Sequence, residues 1–518
     1  MSWIDYNKLI LVLVSLFTGF ITTKAQNSLS YSSSKLTQIK NLKAKVEANP
    51  NNIKAHQAFV NAFSNNKLDD SILNEQYKTW LIRFPKIYAV PFAIGEEYVN
   101  RENPMATSFL LRASTLKPKE ASVWYLLAKD AAYKNNLIFQ REYLKKAIQC
   151  STNSPDYAFY YADSYKNTDP LRYDSLSLDV ARRFPDSEMG ARALFWLANN
   201  TNNPSEQVAY YKQLFNRKSN QYSDWYLSGM IEYFDLLLKT KPEQAFDLGL
   251  TMILNGKRNL NLFKDRIKVA DAFLRARKFL IESQPSEALA ILEKVNIGTI
   301  ESGNKINVEE DLAIFKAEAA DAAKLPIIAY DSLIVLYAKL PTERLYNVLL
   351  KYGEKLCIDS NNVVKSIWKI RDSLAIKATN FSLEKYKSSG KASLSDYQGK
   401  VILLTYWFPA CGPCLAEFPH FESVIKKFDG TKVAYLGLNL QPIQDKFVLP
   451  FLIETGYSFT PLHDDWKRDK GNLAAFGAPT NYLIDQKGRI IFSGFSIDKE
   501  NEKTLELMIK ETLAAKDY

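Results

Sequence analysis

Two kinds of hydrophobic pattern divide this chain. From Lys35 to about Lys377 one helix-like stretch follows another, strand-like alternation is rare, and proline recurs where a helix has to end. Past that point the character changes. Val401-Ile402-Leu403-Leu404-Thr405-Tyr406-Trp407 is a continuous apolar, β-rich run, the pattern of a strand buried on both faces, and Val433–Asn439 is a second. Asn481–Ile484 and Arg489–Phe492 flank Asp485-Gln486-Lys487-Gly488, which predicts a hairpin. Helices are predicted after Cys414, around Phe447–Thr455, and from Glu502 to Ala515. The expected fold class is multidomain: an N-terminal all-α array of helical hairpins, then a C-terminal α/β domain built as a βαβ unit, a hairpin and a closing helix.

The helical part carries a spacing. Pro85, Pro118, Pro155 and Pro185 are separated by 33, 37 and 30 residues, close to the ~34-residue period of tetratricopeptide-type hairpins. In one unit Trp124, Leu127, Ala128 and Ala131 are expected to line a first helix, with Leu144 and Ala147 on the second. In the next, Tyr161, Ala162 and Tyr165 precede Leu178, Ala181 and Pro185. Small residues let paired helices approach, and aromatics fill the gaps. Pro285 to Leu292 reads as another second helix, with Pro285 in its first turn and Glu287 at its positive start. The repeats are degenerate: Gln140 stands where Ala is usual. Val295–Val308, rich in Gly, Asn and Ser, is expected to be a long loop that splits the array.

Length agrees with this division, since 518 residues exceed what one core usually serves. Hydrophobic residues make up 47%, with 29 Tyr and 29 Phe, which favours aromatic packing over disorder. The net charge of +10 is scattered among acids with no basic run, so it reads as a solvated surface and no nucleic-acid partner is expected. The first residues change the picture more. Lys8, the apolar run Leu9–Ile21 and Thr23-Lys24-Ala25 form the pattern of a cleaved export signal. That run falls short of the about 20 residues a membrane span needs, no Cys near the cleavage site suggests a lipid anchor, and no later segment is apolar enough to span. Gln26–Lys35, rich in serine, reads as a linker. Export makes disulfide chemistry possible.

The candidate chemistry is Cys411-Gly412-Pro413-Cys414, four residues past the strand ending at Trp407 and opening a helix. A thiolate there faces unpaired backbone N–H groups and the positive end of the dipole, so its pKa falls below the free value of about 8.5. The two-residue spacer lets the sulfurs close a disulfide within one turn, which Pro413 stiffens. Cys411 is then the exposed nucleophile, and Cys414 resolves the mixed disulfide. A structural zinc site would need four ligands; neither a second C-x-x-C nor a suitably spaced His pair exists, with only three His in the chain. No metal and no cofactor are expected. His463-Asp464-Asp465 reads as a surface loop rather than a cation site. Cys150 and Cys357 lie in helical sequence and are expected to be buried as small hydrophobes, with a disulfide between them as the alternative.

Trp407-Phe408-Pro409-Ala410-Cys411-Gly412-Pro413-Cys414, with Gly477-Ala478-Pro479-Thr480 downstream, resembles the thioredoxin superfamily, and within it the exported TlpA/ResA-like disulfide reductases. Asn380-Phe381-Ser382-Leu383 and Ser393 to Lys400 resemble that branch's leader, which implies an extra strand and turn ahead of the core. The likeness covers about 140 residues; it does not reach the helical array. It implies that Pro479 is the family's cis-proline beside the reactive sulfur, binding extended substrate with Ala478, a position where a rare cis bond is usually functional. It implies that Trp407 packs beneath the motif and belongs with Ala478 and Pro479 to the substrate-binding set, and that Glu417 is an acid near the active site. Two departures stand out. Thr405 replaces the buried Asp of cytosolic thioredoxins, and a hydroxyl cannot serve as that base near neutral pH; Glu417 is the expected replacement, a helix-surface ion pair the alternative. Ala410 replaces a Trp, so the surface beside Cys411 should be flatter. A peroxiredoxin reading fails on Phe408, where those enzymes carry Thr.

The expected division is a signal over residues 1–25, a tetratricopeptide-like region over 26–376 and a thioredoxin-like domain over 377–518. The function it implies is a periplasmic or otherwise extracytoplasmic reductase of protein disulfides, with dithiol clients and a membrane-linked thiol donor as partners. The alternatives are a helical scaffold with an accessory redox domain, or a disulfide isomerase.

Overall fold

A computed structural model describes residues 31–64, 67–201, 203–217, 223–254, 257–295, 308–499 and 501–515. The expected signal over 1–25 and most of the expected loop Val295–Val308 lie outside them. The chain forms two compact units, Met1–Arg101 with Met105–Pro118, and Glu102–Pro104 with Lys119–Tyr518.

The smaller unit is helical: Ser33–Ala48, Ile53–Val60, Lys67–Arg83, Ala89–Asn100 and Ala106–Leu116. Its first helix shortens the expected linker, because Ser32 caps it, its hydroxyl accepting from Lys35 N at 3.3 Å. Phe59, Tyr77 and Trp80 fill its core, with the Phe59 and Trp80 ring centres 5.1 Å apart. His56 is buried with both ring nitrogens used, on Tyr77 Oη and Pro50 O, each at 3.0 Å.

The helical part of the larger unit runs from Ala121–Tyr133 and Leu137–Cys150 to Ser360–Leu374. Leu127, Ala128, Ala131, Leu144 and Ala147 are buried, while Trp124 is half-buried and stacks on Tyr143 at 6.0 Å. In the Pro170–Arg183 helix the inward stripe is Tyr173, Ser177 and Val180 with Ala181. Leu178 falls off that stripe and is exposed, against expectation. Pro285 does occupy the first turn of its helix. Close approach is real: a Cβ on Gly229 would meet Leu214 Cδ2 at 2.3 Å. Cys150 and Cys357 are both exposed rather than buried, and no disulfide joins them. Cys150 ends a helix and Cys357 follows one in the left-handed region at φ +55°, so neither side chain points into a packed face.

Among the described residues the last segment holds eight strands: β1 Ile376–Lys377, β2 Ser382–Glu384, β3 Lys391–Ser393, β4 Val401–Trp407, β5 Val433–Asn439, β6 Thr460–His463, β7 Thr480–Ile484 and β8 Arg489–Ser493. Six form one sheet in the order β1-β8-β7-β4-β5-β6, and β2 and β3 pair separately. β4 runs parallel to β5 and antiparallel to β7. Helices α1 Gly412–Ile425, α2 Asp445–Thr455 and α3 Glu502–Ala514 complete the domain. The unbroken apolar run of β4 has a direct cause. Val401, Leu403 and Trp407 enter one core with Phe418, Phe421, Leu505 and Met508, while Ile402, Leu404 and Tyr406 enter another with Leu383, Leu394 and Leu462. The second core is where the β2–β3 leader packs. Ser393 and Asp396 form a capping box on the short turn that follows. Arg371, in the last helix before the sheet, pairs with Glu511 of α3 at 2.7 Å and lies over the Phe492 ring.

Candidate functional site

Cys411 is the N-cap of α1: its sulfur accepts from Cys414 N at 3.3 Å, and Pro413 sits in the first turn. A side chain capping a helix start is held where the backbone N–H groups converge, which favours negative charge on it. Cys411 and Cys414 are joined as a disulfide. Both are buried, at 2% and 1% exposure, so Cys411 is not the exposed sulfur that the sequence predicts; in the disulfide the exposed residues are Gly412 and Pro413 between the two.

The loop leading to Cys411 is fixed from several sides. Trp407 is fully buried, with Phe418, Phe451 and Phe459 centred 5.3, 5.2 and 5.0 Å from its ring. Cys411 N donates to Phe408 O at 3.0 Å. Ala410 N donates to Gln444 Oε1 at 2.8 Å. The Ala478–Pro479 peptide is cis, and Ala478 packs against the cluster that contains both sulfurs. Thr480 Oγ1 donates to Gly477 O at 2.8 Å and holds that loop.

Glu417 lies on the same helix as Cys414, three residues on, and therefore on the same face. It is 5% exposed. Asn481 Nδ2 donates to its Oε2 at 2.9 Å and Ile497 N to its Oε1 at 3.1 Å, so it is a hydrogen-bonded interior carboxyl rather than a helix-surface one. Burial pushes its pKa up to about 7; the two donors pull it down, and Asp498 adds to the rise. Thr405, buried in β4, faces Asn481 of β7 in the strand register.

The remaining histidines of the domain are in use. His420 Nδ1 lies 2.7 Å from Glu502 Oε1, and His463 stacks on Tyr386 with ring centres 3.5 Å apart. Asp464 pairs with Arg468 at 2.7 Å, and Asp465 accepts from the Lys467 and Arg468 backbone. Among the described residues no group of three or more His, Cys, Asp or Glu is placed to hold a metal ion. No described helix is long and apolar enough to cross a membrane. Sequence reasoning did not single out Asn481, Ile497 or Gln444. Their partners lie 64, 80 and 34 residues away along the chain, so no local pattern marks them.

A family model described as the AhpC/TSA family matches residues 375–493. The thioredoxin-like protein YneN of Bacillus subtilis (strain 168) is 34% identical over 135 residues, 25% of this chain and 78% of the relative. The thiol-disulfide oxidoreductase ResA of Bacillus thuringiensis (strain Al Hakam) is 26% identical over 121 residues, 23% of this chain and 68% of the relative.

Proposed function

The chain belongs to the thioredoxin-like family of thiol–disulfide oxidoreductases, and from that premise we propose that it is exported and reduces disulfides of protein clients through Cys411 and Cys414. The observation that carries this reading is the seat of Cys411 at the N-cap of α1, with Cys414 one turn on.

In the reduced protein the Cys411 thiolate attacks one sulfur of a client disulfide. The client S–S bond breaks, a mixed disulfide forms, and the departing client sulfur takes a proton. Cys414 then loses its proton, attacks Cys411 Sγ, and releases the second client thiol. Two electrons and two protons have passed to the client, and Cys411–Cys414 is oxidised. Glu417, whose pKa is pushed up to about 7, suits the proton transfer from Cys414, since a group titrating near the operating pH can both take and return a proton. Ala478 and Pro479 bind the extended client backbone and Trp407 supports the loop from beneath. Each cycle leaves a disulfide, so a thiol donor must restore the dithiol, and for an exported protein that donor is linked to the membrane. Lys8, Leu9–Ile21 and Thr23-Lys24-Ala25 support export. The region over 26–376, a tetratricopeptide-like array, recruits the client for the domain over 377–518, since such arrays offer extended binding surfaces.

Reduction of insulin by the pre-reduced full chain tests the reading. Cys411→Ser should abolish it, and retention of the wild-type rate would refute the assignment.

A further inference from the structure

Gln444 ties the reactive loop to a segment 342 residues away in the same compact unit. Its side chain is 1% exposed. Oε1 accepts from Ala410 N at 2.8 Å, one residue ahead of Cys411, and Nε2 donates to Glu102 O at 3.0 Å. Glu102 is held in the left-handed region at φ +53°, a conformation a non-glycine residue keeps only where its surroundings impose it. Around this bridge Glu102, Pro104 and Tyr133 face Pro409, Ala410 and Phe447, leaving about 10 Å³ between them, no more than one water-sized sphere. Lys134 Nζ lies 6.0 Å from the Phe447 ring. One side of the reactive loop is therefore closed by helical-array residues, and the exposed part of the motif is only Gly412 and Pro413.

We propose that Gln444 is a latch, a positioning residue that holds Glu102–Pro104 over the Pro409–Ala410 side of the loop and so limits how large a disulfide can reach Cys411. This rests on the redox reading above. A small disulfide approaches past Gly412 and Pro413 with the latch closed. A protein disulfide, carried on a bulky chain, needs the covered side cleared, so its rate scales with the fraction of open molecules. The two bonds of Gln444 have different jobs: the one to Ala410 N sets the peptide ahead of the nucleophile, and the one to Glu102 O keeps the cover in place.

Gln444→Glu separates them. It keeps an acceptor for Ala410 N, loses the donor to Glu102 O, and sets a carboxylate against that carbonyl. The full chain, pre-reduced, is reacted with insulin and with glutathione disulfide, and the two second-order rate constants are compared with wild type. The insulin rate should rise on the order of fivefold, the equilibrium weight of one hydrogen bond, with the glutathione disulfide rate changed by less than about twofold. Gln444→Met, of similar length and uncharged, removes both bonds. If the buried carboxylate prevents folding, this variant is judged on the ratio of the insulin rate to the glutathione disulfide rate, in which the loss of the Ala410 bond is common to both substrates, and that ratio should still rise. An unchanged ratio of the two rates overturns the latch. A wild-type chain that reacts with neither disulfide overturns the redox reading instead, and the two failures are distinguishable.

Discussion

A carboxyl group three residues past Cys414 lies out of water, held by the Asn481 amide and the Ile497 N–H. Its folded pKa of about 7 against an ordinary 4.5 sets a sign for stability. The folded state binds the proton more tightly, so the contribution of Glu417 to stability is fully present below about 4.5 and is lost as pH rises through about 7. Glu417→Gln mimics the protonated form and has no such dependence. Thermal denaturation should show the variant gaining on wild type from pH 5 to pH 8, and parallel curves would contradict the assignment. The same variant should flatten the pH profile of turnover near neutrality if Glu417 handles the Cys414 proton. At this scale the sequence disclosed the residue but left its surroundings open. The resemblance to the exported thioredoxin-like branch pointed to Glu417 as an acid near the sulfurs. Whether it stood on the surface or inside depended on Asn481 and Ile497, which only the sheet and the segment after β8 bring near.

Among elements, those with unbroken local patterns were legible. β4 and β5 end where their apolar runs end, because both faces of each are buried and every residue carries the signal. β6 was missed: it is four residues long, lies at the sheet edge and contains Pro461, all of which suppress a strand pattern. Leu178 misled for the opposite reason, since a lone apolar residue off the stripe looks like part of it until the neighbouring helices fix the inward face. The thiols of Cys150 and Cys357 were read from residue type, and their place at helix ends decides otherwise. β5 also carries a demand that its sequence shows only as one residue. A Cβ on Gly437 would meet Phe459 Cδ2 at 2.5 Å and Trp407 Nε1 at 2.9 Å, both inside the aromatic packing beneath the reactive loop. Gly437→Ala should therefore destabilise the domain by about 1–3 kcal/mol, the usual cost of overfilling a packed core. Chemical denaturation followed by Trp fluorescence reads it, and a variant as stable as wild type would mean that the rings yield freely.

For the whole molecule, the order of a helical array and a thioredoxin-like domain was legible from the change of hydrophobic period near Lys377. The bridges of Arg371 to Glu511 and of Gln444 to Glu102 were not, because each joins single residues far apart in sequence. Those bridges tie the domain that holds Cys411 and Cys414 to helical residues of the same compact unit. The central claim remains that Cys411 is the attacking sulfur. A Cys414→Ser chain cannot resolve its mixed disulfide, so after reduction and exposure to a disulfide-bonded peptide it should accumulate one covalent adduct per chain, mapped by mass spectrometry of proteolytic fragments to Cys411. The exposed Cys150 and Cys357 provide the internal comparison, since ordinary accessible thiols should be modified far more slowly. An adduct found at Cys150 or Cys357 with Cys411 unmodified would contradict the account.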